Sequence, residues 1–193
     1  MAIKRFGDYE TTQSYGDYEQ LPKGGYIIKI LGAEVCESSW GQYIKLGCDI
    51  AEGDYTDFYA NEYKNQQSED KKWHCNYLLN VPNDDGSEKD GWTKRKFKTV
   101  IEAIEDSNDN YHFDWDEQKF KGKIVGGLFN EREYENGNGD VRRTINLAQI
   151  CSVEKIRSGK FKLPEDKLLQ GSAKKDSDGF MQIPDGSDEE LPF

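Results

Sequence analysis

No stretch of the 193-residue sequence approaches the ~20 consecutive apolar residues that a membrane-spanning helix requires, and no apolar run of the kind a secretory leader carries follows the charged residues 1–6. No membrane attachment is expected. Histidine is nearly missing, with only His74 and His112. The four cysteines, Cys36, Cys48, Cys75 and Cys151, are widely spaced and form no C-x-x-C pair, which removes the zinc ribbon and the disulfide framework as organising devices. Small buried cysteines in a reducing compartment are expected, with no metal and no cofactor, since His74-Cys75 has too few companions to complete a metal site. Positive charge is also short. Against 37 Asp and Glu stand 26 Lys and Arg, and the net charge of -11 argues against the uniformly basic surface that wraps duplex DNA. Nor does the chain contain a P-loop, a G-x-G-x-x-G, an H-E-x-x-H or a nucleophile elbow.

Aromatic residues, by contrast, are abundant. Eleven Tyr, nine Phe and four Trp exceed what a disordered chain carries, yet a hydrophobic share of 35% and a charged share of 33% place much of the chain outside any core. One compact aromatic-rich domain with polar ends reconciles the two. Residues 1–22 are polar, hold the near-repeat Phe6-Gly7-Asp8-Tyr9-Glu10 and Tyr15-Gly16-Asp17-Tyr18-Glu19, and are expected to form a flexible arm. Residues 164–193 carry eight acids against three lysines and are expected to form a disordered acidic tail. The folded domain is expected over 23–163.

Within it, the glycine turn Gly24-Gly25-Tyr26 opens a β-branched run over 27–35, interrupted by Gly32, which predicts a long strand with a bulge. Over 43–50, Ile44, Leu46, Cys48 and Ile50 alternate with Tyr43, Lys45, Gly47 and Asp49, the pattern of a strand with one buried and one open face. A turn at Glu52-Gly53-Asp54 leads to a third strand expected over 55–59. Phe97, Val100, Ile101 and Ile104 recur at helical spacing behind Thr93 as N-cap, in a helix that should stop near Ser107-Asn108. Two further strands, over 123–133 and 141–150, flank the glycine-rich turn 136–140. The expected class is therefore mainly β: a five-stranded OB-type β-barrel with a helix inserted between strands 3 and 4, whose nucleic-acid surface lies on strands 2 and 3 and two neighbouring loops.

Proteins that hold single strands stack bases on aromatic rings, each stack contributing about 1–3 kcal/mol, and guide the backbone with cations. On this map Trp40 and Tyr43 are the stacking candidates, with Lys45 beside them. Phe58 or Tyr59, whichever looks outward from strand 3, is the third ring, barrel packing being the competing role. Lys94, Arg95, Lys96 and Lys98 gather at the expected helix start, where cations beside free amides would make a phosphate site. A solvated face balanced by Glu102, Glu105 and Asp106 is the alternative. Arg142 and Arg143 follow the last turn as further phosphate contacts. An enzyme reading rests on Glu117-Gln118-Lys119, the E-x-K spacing of one nuclease class, with Asp114 and Asp116 nearby.

The last six residues, Asp188, Glu189, Glu190, Leu191, Pro192 and Phe193, resemble the acidic tip of bacterial single-stranded-DNA-binding proteins, in which acids precede Ile-Pro-Phe; here Leu191 replaces the Ile. The resemblance implies that Phe193, Pro192 and the acids enter a basic-rimmed pocket on replication or recombination proteins. The body, over roughly 24–168, is similar to single-strand-binding proteins of phages and prophages of Gram-positive bacteria. It is so through Gly25-Tyr26, Glu105-Asp106-Ser107-Asn108, Phe120-Lys121-Gly122-Lys123-Ile124-Val125-Gly126 and Glu131-Arg132-Glu133-Tyr134. That similarity implies an OB-fold and sequence-independent binding of single-stranded DNA. From the missing catalytic motifs and apolar runs, no enzymatic activity and a place in the bacterial host cytoplasm are expected, with a homo-oligomer compatible with both. Two rivals are a protein-interaction module that never touches DNA and a metal-dependent nuclease.

Overall fold

Gly32 sets the shape of the first strand. β1 (Gly24–Ser38) is 15 residues long, and its ladder shifts register between Ile30 and Gly32, where the interrupted β-branched run predicts a bulge. β1 serves two neighbours. Its first half pairs with β4 (Ile124–Glu135), from Gly24 opposite Phe129 to Lys29 opposite Ile124. From Ile28 onward it also pairs with β2 (Gly41–Ile50). The computed structural model describes residues 4, 5, 7, 9 and 20–169; most of the expected arm and the tip from Asp188 to Phe193 lie outside them.

Adding β3 (Asn76–Asn80) beside β2 and β5 (Val141–Cys151) beside β4 gives one antiparallel, five-stranded open sheet in the order β3-β2-β1-β4-β5. The protein is thus mainly β. Among the described residues no ladder joins the edge strands β3 and β5, although their Cα atoms approach within 8 Å. The helix between β3 and β4, α2 (Glu88–Asp106), packs against β3, β4 and β5, and its stripe Phe97, Val100, Ile101 and Ile104 is buried, as its spacing predicts. Ile28, Ile30, Leu46, Cys48, Ile50, Phe120, Val125, Phe129 and Ile150 complete the core above it. Among the described residues no helix is long and apolar enough to cross a membrane.

Three expectations need correction. The third strand is not at 55–59. There the chain turns through Asp57 at φ 59° and enters α1 (Phe58–Asn65), because the Asp49 carboxylate reaches from β2 to accept the amides of Tyr59 (2.9 Å) and Ala60 (3.0 Å), two N–H groups that a first helical turn leaves unpaired. The strand that pairs with β2 is Asn76–Asn80, whose flanking asparagines hide it. α2 also starts earlier than Thr93. Ser87 is its N-cap, accepting from the Asp90 amide at 3.1 Å, and Glu88 and Asp90 occupy the first turn.

The folded part also reaches past both expected boundaries. Leu21 is buried, and the Tyr26 hydroxyl donates to the Pro22 carbonyl at 2.8 Å. At the other end the Lys167 amide donates to Glu131 O and the Glu133 amide to Lys167 O, both at 2.9 Å, so this segment runs parallel along the β4 edge beyond Phe129, where the β1 ladder ends.

α3 (Val153–Arg157) covers the outer side where β1 meets β4, and here glycine is required. A Cβ on Gly126 would stand 2.6 Å from Ile156 and 2.9 Å from the Ser152 carbonyl oxygen; one on Gly25 would stand 2.6 Å from Phe161.

Candidate nucleic-acid interface

The register of β1, β2 and β3 assigns their faces. Ile44 and Leu46 of β2 are buried and lie between Val35 and Leu79 and between Ala33 and Tyr77. The alternate residues form the opposite, outer face in three cross-strand rows: Cys36, Tyr43 and Asn80; Glu34, Lys45 and Leu78; Gly32, Gly47 and Asn76. This face is open. Leu78 is 51% exposed, and a shallow groove of about 380 Å³ runs past Leu31, Gly32, Lys45, Gly47 and Asn76 to Trp73. Trp73 is fixed at that end because its indole N–H lies 3.0 Å from Cys48 O and 3.1 Å from Cys75 O.

Trp40 stands in the tight turn between β1 and β2 and is 48% exposed. Its ring stacks on that of Tyr43, with centroids 5.1 Å apart and planes 24° apart. Gly41, at φ 125°, supplies the backbone this turn needs, and Ser38 Oγ donates to Gly41 O at 2.9 Å. The hydrogen bond with the Cys36 thiol, across the ladder, raises the Tyr43 pKa. Trp40 is thus stacked on Tyr43, and Tyr43 and Lys45 share one face, as the alternation of β2 predicts.

The other candidates are placed differently. Tyr59 is only 5% exposed, packs parallel to Phe129 and has its hydroxyl pKa pushed far up by burial; it is a core residue. Phe58 opens α1, half-buried against Tyr55 and Tyr59. Neither belongs to an open strand face.

Because α2 begins at Glu88, the basic cluster lies beyond the first turn, and the expected phosphate site at the helix start is replaced by an internally capped end. Lys94 pairs with Asp84 and, at 3.1 Å, with Asp90; Lys98 lies 3.5 Å from Glu102. Arg95 lies over the Trp92 ring, 4.4 Å from its centroid, and Lys96 is exposed with no ion pair among the described residues. In the β4–β5 hairpin, Arg143 pairs with Glu131 at 3.2 Å and with Glu133 at 3.1 Å. The Glu133 side chain is 2% exposed, so Arg143 compensates a buried carboxylate. Arg142, opposite Tyr134, is exposed.

The E-x-K motif is occupied by its neighbours. Lys119 pairs with Asp114 and lies 3.8 Å from Asp116, and the hydrogen bond to Asp114 raises its pKa. Among the described residues no group of three or more His, Cys, Asp or Glu side chains is arranged to hold a metal ion.

Sequence reasoning missed two surfaces. One is the β3 contribution, Asn76, Leu78 and Asn80, lost with the misplaced strand. The other is a groove of about 440 Å³ behind β4, where Lys155, Lys160 and Lys162 surround Leu128 and Phe161. None of the three lysines has an ion pair among the described residues, and the run Lys155-Ile156-Arg157-Ser158-Gly159-Lys160-Phe161-Lys162 was its legible signal.

Neither a protein-family model nor a curated protein matches the chain. Its function is therefore argued from these surfaces.

Proposed function

We propose that the protein binds single-stranded DNA without strict sequence requirement, in phage or prophage replication or recombination. The sheet, with its helix between strands 3 and 4, would then be the body of an OB-type barrel. The observation that carries this reading is the Trp40–Tyr43 stack on the open outer face of β1, β2 and β3, flanked by Lys45 and the exposed Leu78. A stacked indole with one free side accepts any base, because every base has a π-face. Lys45, Arg95, Lys96 and Arg142 supply exposed cations for the backbone, and Lys94, Lys98 and Arg143 have lesser parts because acids already hold them. The acidic segment ending in Leu191-Pro192-Phe193 recruits partner proteins and, when free, competes with DNA.

The test is a tryptophan-fluorescence titration with a dT oligonucleotide and a matched duplex at two salt concentrations, with and without residues 185–193. Quenching by the single strand that weakens with salt and strengthens on deletion is expected. No response from either form would overturn the DNA reading. In its place would stand a protein-interaction module, which Trp115 favours. That residue is 78% exposed, held at φ 69° and stacked on Phe97.

A further inference from the structure

A second cavity adjoins the Trp40 ring. It has a volume of about 310 Å³, lies between the β1–β2 turn, the end of β3 and the first turns of α2, and is polar where the outer face is aromatic. Trp40 forms one wall. Asn80 and Asn83 line it, and neither amide makes a side-chain hydrogen bond among the described residues. Asp85 lines it too, and its hydrogen bonds with Ser87 lower its pKa. At its inner end sits Asp90, with 3% of its side chain exposed. Asp90 Oδ1 accepts the amides of Asn83 (2.8 Å) and Asp84 (3.2 Å), and Oδ2 pairs with Lys94 Nζ at 3.1 Å.

The charge of this cavity selects among the parts of a nucleotide. A phosphate would meet the carboxylates of Asp85 and Asp90 against the single lining cation Lys89, and Ser87 already accepts the Asp90 amide, so the backbone is disfavoured. A base is not. The aromatic wall can hold its face, and the free amides and carboxylate oxygens can meet its edge. The second Asp85 oxygen and the amide oxygens of Asn80 and Asn83 are acceptors, so the favoured edge carries an exocyclic amino group, as adenine, cytosine and guanine do and thymine does not. From this arrangement we infer that the cavity between Trp40, Asn80, Asn83 and Asp85 takes one unstacked nucleobase of the bound strand and prefers an amino-bearing base to thymine. The inference rests on the single-strand reading above and adds a specificity element to it.

The test compares dT oligonucleotides with the same oligonucleotides carrying cytosines, titrated against the full chain and against a variant with Asn80→Ala and Asn83→Ala. Each variant's thermal unfolding is recorded alongside. The full chain should bind the cytosine-containing strand about five-fold more tightly than the variant does once both are normalised to dT, a ratio equivalent to ~1 kcal/mol. Asp85→Asn should reduce the same ratio. An unchanged cytosine-to-thymine ratio in variants that melt normally would overturn the inference and leave general binding intact. Failure of the full chain to bind either strand would overturn both. If the double variant melts early, the Asp85→Asn ratio decides the matter, because Asp85 lies on the surface.

Discussion

Two aromatic pairs close together in the chain have opposite fates. Trp40 and Tyr43, at the β1–β2 turn, lie 5.1 Å apart, nearly parallel, on an open sheet face. Phe58 and Tyr59, at the start of α1, lie 5.2 Å apart at 83° and face the core, where Tyr59 also meets Phe129. In the sequence both are aromatic residues beside a glycine-containing turn. What separates them is the side of the sheet to which the local backbone directs them. At Tyr43 the ladder continues, so alternation puts the ring opposite Ile44. At Tyr59 the Asp49 carboxylate converts an aromatic run into a helical turn, and the rings swing inward. A stacking platform is thus defined less by aromatic content than by a pleat that leaves one ring face in solvent.

Breaking the buried member should have the largest effect. Tyr59→Ala removes a ring packed on Phe129 and should cost about 3 kcal/mol or more, a fall of roughly 6–12 °C in Tm, measurable by thermal denaturation. An unchanged Tm would show that the two pairs are equivalent. Trp40→Ala should sharpen the contrast in the other direction. Single-strand affinity should fall by about 1–3 kcal/mol in a titration, while stability changes by no more than about 0.5 kcal/mol. Early melting with normal binding would move Trp40 into the structural class.

The smallest effect concerns Asp49. Burial raises its pKa above the ordinary value, with the amides of Tyr59, Ile50 and Ala60 acting in the opposite direction. Since the folded pKa exceeds the unfolded one, the group's contribution to stability is fully present below the unfolded pKa and is lost as pH rises through the folded value. Urea unfolding of the wild type and Asp49→Asn should therefore show the wild type gaining relative stability from pH 7 toward pH 4. A wild-type advantage that shrinks toward pH 4 would mean that the amide hydrogen bonds outweigh burial.

Much of the architecture was legible where periodicity was long. β1 with its bulge, β2, the β4–β5 hairpin around its glycine turn and the apolar stripe of α2 all follow from runs of eight or more residues. Short elements were not legible. Asn76-Tyr77-Leu78-Leu79-Asn80 has only three strand-forming residues between two asparagines, and its strand exists because β2 offers a free edge. The start of α2 was read at Thr93 because Gly91 and Trp92 obscure the Ser87-Glu88-Lys89-Asp90 cap. That difference moved four basic residues away from the helix end. Among the candidate site residues, the shared face of Tyr43 and Lys45 was legible because a single strand's alternation orders them, whereas the stacking of Trp40 on Tyr43 depends on the turn. Lys94 and Arg143 are held by Asp84, Glu131 and Glu133, pairings that only the folded chain reveals, whereas the Asp90–Lys94 and Lys98–Glu102 pairs follow from helical spacing.

The sequence by itself determined the mainly β character, the long central strand with its bulge, the last hairpin and the open face of β2, because each rests on local sterics and side-chain periodicity. Only the tertiary structure decided which segment became the third strand, which aromatic rings entered the core and which cations retained an uncompensated charge. Those outcomes depend on groups distant in the chain, such as Asp49 at the start of α1 and Glu133 beneath Arg143, and their interactions arise only when burial and register bring them within hydrogen-bonding distance.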